Sequence, residues 1–253
     1  MARKWTEDEE VLALGLYCRT PFGKISASNP SIKALASMMN RTPASVSMKM
    51  CNFARFDPAL QARGVSGLSN GSRLDEIVWN KYISNIEKLE EKNKEILSTY
   101  GAHEYASGET LILPAGENVE RTVQTRKNQR FFREVILASY ENTCCITGIS
   151  IPALLNASHI KPWRNSDPLM ERTNPQNGLC LNALHDKAFD LGFITVDQDY
   201  RIVLSKQLKE MYRVEVIQEY FAKYDGVQIQ LPHRFLPSKE FLSYHNQYIF
   251  ESY

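Results

Sequence analysis

Apolar residues recur at helical intervals over the first sixty positions of this 253-residue chain. Thr6 and the run Glu7-Asp8-Glu9-Glu10 supply a cap and an acidic first turn for a helix reaching about Arg19. A second helix is expected from about Ser31 through Ile32, Leu35, Ala36 and Met39. Thr42-Pro43 then gives a cap and a first-turn proline to a third. On that third helix Val46, Met50 and Phe53 form the inward face, which predicts Ser45, Lys49, Asn52 and Arg55 pointing outward. Gly64 to Ser72 reads as a hinge, and Arg73 to Leu97 as one long polar helix. Its Trp79, Ile86 and Asn93 fall seven apart, with Tyr82, Leu89 and Ile96 three later. Such an a/d stripe either packs against the protein's own domains or pairs two protomers. Thr99 to Gln124, holding Gly101, Gly108, Pro114 and Gly116, reads as a linker.

The pattern changes in the second half. The apolar run Ile151 to Ala157 predicts a strand that places His159 at its end, where Pro162 turns the chain away. A polar loop follows, with Asn165, Ser166, Asp167, Pro168, Asn174 and Pro175, then a strand over Gly178 to Asn182 and a helix from about Ala183. Phe193 to Ser205 alternates as a hairpin, Gly226 to Leu231 reads as another strand before Pro232, and a capped helix runs from Ser238 to about Phe250. The expected class is α+β: a helical domain over residues 1–62, a hinge, long helix and linker over 63–124, and a mixed domain over 125–253.

Composition narrows the function classes. No apolar run is long enough to cross a bilayer and no apolar signal segment opens the chain. Five scattered cysteines lack paired C-x-x-C spacing, so structural zinc is not expected and a reducing cytoplasm is. The formal charge of +1 hides an asymmetry, because Arg121 to Arg164 holds seven Lys or Arg against two acidic residues. Within it Arg126, Lys127 and Arg130 recur near helical spacing, and Lys161 and Arg164 flank His159, which suits contact with a phosphate backbone.

Three motifs carry the chemistry: Asn156-Ala157-Ser158-His159-Ile160-Lys161-Pro162-Trp163, Asn177-Gly178-Leu179, and His185-Asp186-Lys187-Ala188-Phe189-Asp190-Leu191-Gly192. His103, His233 and His245 lack such context. In combination the motifs resemble the HNH endonucleases of the His-Me finger (ββα-metal) superfamily, over roughly the C-terminal half from Arg126. The resemblance implies that His159 is the general base, that His185 ligates a divalent metal, and that Asn177 braces the finger or binds the metal. One position departs: where many relatives carry an Asp or His ligand just before the base, this chain has Ser158. Asp186 or Asp190 could supply the missing hard oxygen. Trp5 and Arg41-Thr42-Pro43-Ala44-Ser45-Val46 are similar to Myb/SANT-like and helix-turn-helix modules, which implies that Arg41, Ser45, Lys49 and Asn52 read DNA.

The expected function is a restriction-type, site-specific endonuclease that hydrolyses double-stranded DNA to 5′-phosphate ends with Mg²⁺ or Mn²⁺, with or without dependence on DNA methylation. A homodimer would serve a symmetric site. A DNA-binding regulator with an inactive nuclease domain is the alternative that Ser158 suggests.

Overall fold

A computed structural model describes residues 3–65, 71–100 and 119–250, with the backbone alone for 119–128. The chain divides into two compact units, residues 1–135 and 136–253.

The first unit is helical. Helix α1 (Glu7–Arg19) opens on a reciprocal capping box between Thr6 and Glu9. Helices α2 (Pro30–Met38) and α3 (Pro43–Phe53) are capped by Asn29 and Thr42, each with proline in the first turn. A short α4 (Pro58–Ala62) is capped by the buried Asp57. Tyr17, Phe53 and Trp79 form the aromatic centre of the core, with ring centroids 5.8, 6.0 and 6.3 Å apart.

The long helix predicted after the hinge is two helices, α5 (Arg73–Tyr82) and α6 (Ile86–Thr99). Asn85 breaks it, because its side chain accepts the Lys88 amide and offers the backbone a cap in place of continuation. The stripe of Trp79, Tyr82, Ile86, Leu89, Asn93 and Ile96 is buried on both sides of the break. It packs inside its own unit, where α5 and α6 lie against α1. Gly15 explains the close approach: a Cβ there would stand 2.6 Å from the Asn93 amide. Of the two alternatives for the stripe, packing against the protein's own helices is the one seen.

Helix α7 (Val119–Ser139) begins earlier than the predicted end of the linker, so 119–124 are helical. Residues 101–118 of that linker and 66–70 of the hinge lie outside the described residues.

In the second unit β1 (Leu155–His159) pairs antiparallel with β2 (Gly178–Asn182), Leu155 facing Asn182 and His159 facing Gly178. Helix α8 (Ala183–Asp190) follows directly and packs on both strands. It ends on Gly192 at φ 74°, whose amide reaches Phe189 while Phe193 reaches Ala188, a double closure that requires a left-handed residue. The predicted hairpin is β3 (Ile194–Val196) with β4 (Ile202–Leu204). After the short α9 (Lys206–Glu210) and α10 (Glu215–Tyr220), the predicted strand over Gly226 to Leu231 is absent. That segment makes one isolated bridge, Arg201 to Gln228, because Gly226 sits at φ 75° and starts it as a turn. Helix α11 (Lys239–Tyr248), capped by Ser238, closes the unit. No helix among the described residues is long and apolar enough to cross a membrane.

Candidate active site

His159 ends β1 half-buried, and a backbone carbonyl orients its ring. Nε2 lies 2.8 Å from the carbonyl oxygen of Arg172, and a carbonyl only accepts, so Nε2 carries the proton and Nδ1 the lone pair. The ring edge meets Trp163 at 5.5 Å and 88°. Burial lowers the His159 pKa below the usual histidine value, against the upward pull of the Arg172 carbonyl and the Asp186 carboxylate. The imidazole is thus neutral near pH 7, the form that can take a proton from water.

The loop between the strands is braced around that carbonyl. Asn177 is fully buried. Its Oδ1 accepts the Lys161 amide at 2.8 Å, and its Nδ2 donates to the carbonyls of Lys161 and Glu171 at 3.1 and 3.2 Å. Lys161 Nζ pairs with Glu171 at 2.6 Å, and the same carboxylate accepts the Asp167 amide. Arg172 Nε donates to the carbonyls of Trp163 and Ser166, each at 3.2 Å. Both atoms of the Asn177 side-chain amide thus hydrogen-bond the loop.

His185 is likewise held by hydrogen bonds. It is buried in the first turn of α8, where Nε2 donates to the Tyr220 carbonyl at 2.7 Å and Nδ1 accepts from Asn182 Nδ2 at 2.9 Å. Asn182 also caps the helix by accepting the amides of Leu184 and His185. Through both ring nitrogens His185 links α8 to Asn182 and the Tyr220 segment.

The oxygen donors lie on β1 and one residue further along α8. Asn156 Nδ2 donates to Asp186 Oδ2 at 2.7 Å, tying strand to helix. Asp190 is surface-exposed at the end of α8, yet partial desolvation and then the Asp186 charge push its carboxyl up to about 6. Ser158 is buried, and its Oγ has no hydrogen-bond partner. Among the described residues no group of three or more His, Cys, Asp and Glu side chains could hold a metal alone. A Mg²⁺ ion does not need one, since it commonly takes one or two carboxylates and completes its shell with water and substrate phosphate. Asp186, with Asn156 beside it, fits that requirement.

The expected DNA-binding residues divide. Arg41 is buried against Glu9 through two hydrogen bonds of 3.0 and 2.7 Å and stacks 4.1 Å from the Trp5 ring, so it serves the fold. Lys49, predicted outward, is buried and ion-paired with Glu10 and Asp75; two carboxylates on α1 and α5 pull it inward. Ser45 and Asn52 are partly exposed on α3, and the Asn52 Oδ1 is buried. Arg130 is exposed and paired with Glu134, Arg164 is exposed, and Lys161 belongs to the loop brace. The side chains of Arg126 and Lys127 lie outside the described residues.

Sequence reasoning gave no role to Asn156, Asn182 or the Arg172 carbonyl. Asn182 carried a readable signal as a cap before a helix, whereas a backbone carbonyl carries none. A comparison with curated proteins gave no match. Residues 144–197, which span β1, β2, α8 and β3, match the family model for an HNH endonuclease, and with the ββα geometry this supports an HNH nuclease domain in that segment.

Proposed function

We propose that the protein is a DNA endonuclease in which His159 is the general base for phosphodiester hydrolysis. One observation carries the reading: a neutral imidazole at the end of β1 whose Nε2 proton is held by the Arg172 carbonyl, which makes Nδ1 the basic nitrogen of the ring. Asn177, Lys161, Glu171 and Arg172 keep that carbonyl in place, so the base is oriented before substrate arrives. Asp186 and Asn156 would hold the divalent ion, Mg²⁺ or Mn²⁺, which supplies charge neutralisation at the phosphoryl and leaving oxygens. Hydrolysis in this sense leaves a 5′-phosphate. Arg130 and Arg164 are the exposed cations that suit phosphate contact.

The restriction-type assignment rests on a nuclease domain joined to a separate helical unit. Within that unit Ser45 and Asn52 remain for base reading, Arg41 and Lys49 being committed to the fold. Pairing of two copies through α5 and α6 is no part of this reading. The buried, partnerless Ser158 Oγ favours the alternative, a DNA-binding regulator without catalysis.

Supercoiled plasmid, methylated and unmethylated, with Mg²⁺ or Mn²⁺ tests the proposal. Discrete fragments are expected, and intact plasmid in every condition would favour the regulator. Two further outcomes are expected. The cleavage rate should rise with pH as His159 loses its proton, with a half-point below the ordinary histidine value of about 6.5. A half-point above it in a pH–rate profile would count against His159 as the base. Asp186→Asn should weaken Mn²⁺ binding at least about tenfold in calorimetry, with the fold retained. Unchanged affinity would move the metal elsewhere.

A further inference from the structure

Trp163 touches both the base and the residue whose carbonyl holds it. Its ring centroid lies 5.5 Å from that of His159 with the two planes at 88°, within the range in which edge-to-face pairs are favourable. The guanidinium carbon of Arg172 sits 5.3 Å from the centre of the same indole, a cation–π distance. His159, Trp163 and Arg172 thus close a triangle whose third side is the hydrogen bond from His159 Nε2 to the Arg172 carbonyl.

The main chain under the indole is pinned on both sides. Pro162 turns the chain into a 3-10 turn, Trp163–Asn165. The buried Ser166 hydroxyl lies 3.0 and 3.1 Å from the carbonyls of Lys161 and Pro162, before the indole. Arg172 Nε donates to the carbonyls of Trp163 and Ser166, each at 3.2 Å. One residue therefore holds the backbone of Trp163, the face of its ring and the imidazole that the ring meets.

What the indole adds follows from the torsions of histidine. The χ2 angle of an imidazole is broad. A hydrogen bond at Nε2 fixes one point of the ring, so a ring hinged there can still rock and sweep Nδ1 through an arc. A flat neighbour at a right angle restricts that motion. The restriction matters for a proton acceptor, since a displacement of about 1 Å in a catalytic group can cost about 100-fold in rate.

We propose that Trp163 is a positioning residue for phosphodiester hydrolysis: it sets the plane of the His159 imidazole, and with it the direction of the Nδ1 lone pair, while Arg172 ties that plane to the carbonyl that holds Nε2. The proposal rests on the nuclease reading above.

The test compares the full unaltered chain with Trp163→Ala, Trp163→Leu and Trp163→Phe. Leucine keeps apolar bulk without a flat ring, and phenylalanine keeps the ring. Carbon relaxation of the His159 ring, measured by NMR without DNA, reports its order parameter. Plasmid cleavage with Mg²⁺ or Mn²⁺ gives kcat and KM. The alanine and leucine variants should lower the ring order parameter and reduce kcat about 10- to 100-fold with KM unchanged. Trp163→Phe should restore both readouts. The Nε2–H tautomer is expected in all four chains, because the Arg172 carbonyl remains. Should the alanine variant fail to fold, leucine against phenylalanine decides the matter. Equal ring order and equal kcat in those two overturn the positioning role alone. So does a rise in KM at unchanged kcat, which would place the indole on DNA, and so does a fall in kcat with ring order unchanged. Absence of any cleavage by the unaltered chain overturns the nuclease reading and the positioning role with it.

Discussion

His159→Ala is expected to lower the DNA cleavage rate about 100- to 10,000-fold, the range that positioned proton transfer contributes. In barrier height this is about 3 to 5 kcal/mol. The cost to stability is far smaller, because the ring is half-buried at a strand end and its neutral hydrogen bond to the Arg172 carbonyl is worth about 1 kcal/mol. The two effects therefore separate. Plasmid cleavage should nearly vanish while urea midpoint and DNA affinity stay close to those of the unaltered chain. His159→Gln should do no better, since an amide can donate to the carbonyl but cannot accept a proton at neutral pH. Parallel loss of folding and binding would identify His159 as a structural residue.

The largest expected effect on stability lies in the other unit. Lys49 Nζ reaches Glu10 Oε1 at 3.0 Å and also pairs with Asp75, and both carboxylates are fully buried. Burial raises the Glu10 pKa, the Lys49 ammonium pulls it back, and Asp75 adds to the rise. Lys49→Ala leaves two buried acids facing each other, which should cost about 3 to 5 kcal/mol. The sign with pH follows from linkage. Without the ammonium the folded-state pKa of Glu10 moves further up, so the folded variant binds more protons than the unfolded chain. Its stability is then greatest in acid and is lost as pH rises above the unfolded carboxylate values. Urea denaturation at pH 5 and pH 8 should show a wider gap from the unaltered protein at pH 8. A gap below about 1 kcal/mol at pH 8 would mean that water or Arg55, which lies 3.8 Å from Asp75, already solvates the acids.

Lys49 also marks a limit of sequence reading. Its position on α3 was legible, and so were the caps Thr6, Thr42 and Ser238, because caps and 3.6-residue periodicity are local. Its direction was not, since the acids that turn it inward sit on α1 and α5 and nothing local places them there. The break at Asn85 failed for a related reason: periodicity continues through it, with Tyr82 and Ile86 both buried. At the site, the sequence pattern gave β2 and the start of α8 to the residue, while β1 begins at Leu155, four residues after the predicted Ile151, because Pro152–Leu154 forms a 3-10 turn. The pattern did not distinguish an imidazole held by the Arg172 carbonyl at the end of β1 from one in α8 held by the Tyr220 carbonyl. His159 and His185 have the same composition and similarly lowered pKa values; their hydrogen-bond partners separate them, and those are tertiary facts.

The acceptor that fixes the His159 tautomer is a peptide oxygen, and every amino acid supplies one. No substitution at position 172 can delete it. Lesions that disturb the proton on this ring must instead act on the route of the main chain, through Asn177 or Glu171. A mutational scan of the loop would accordingly find its sensitive positions away from the atom that does the orienting, and a chemist wishing to weaken that hold would need to replace the peptide bond after Arg172 with an ester.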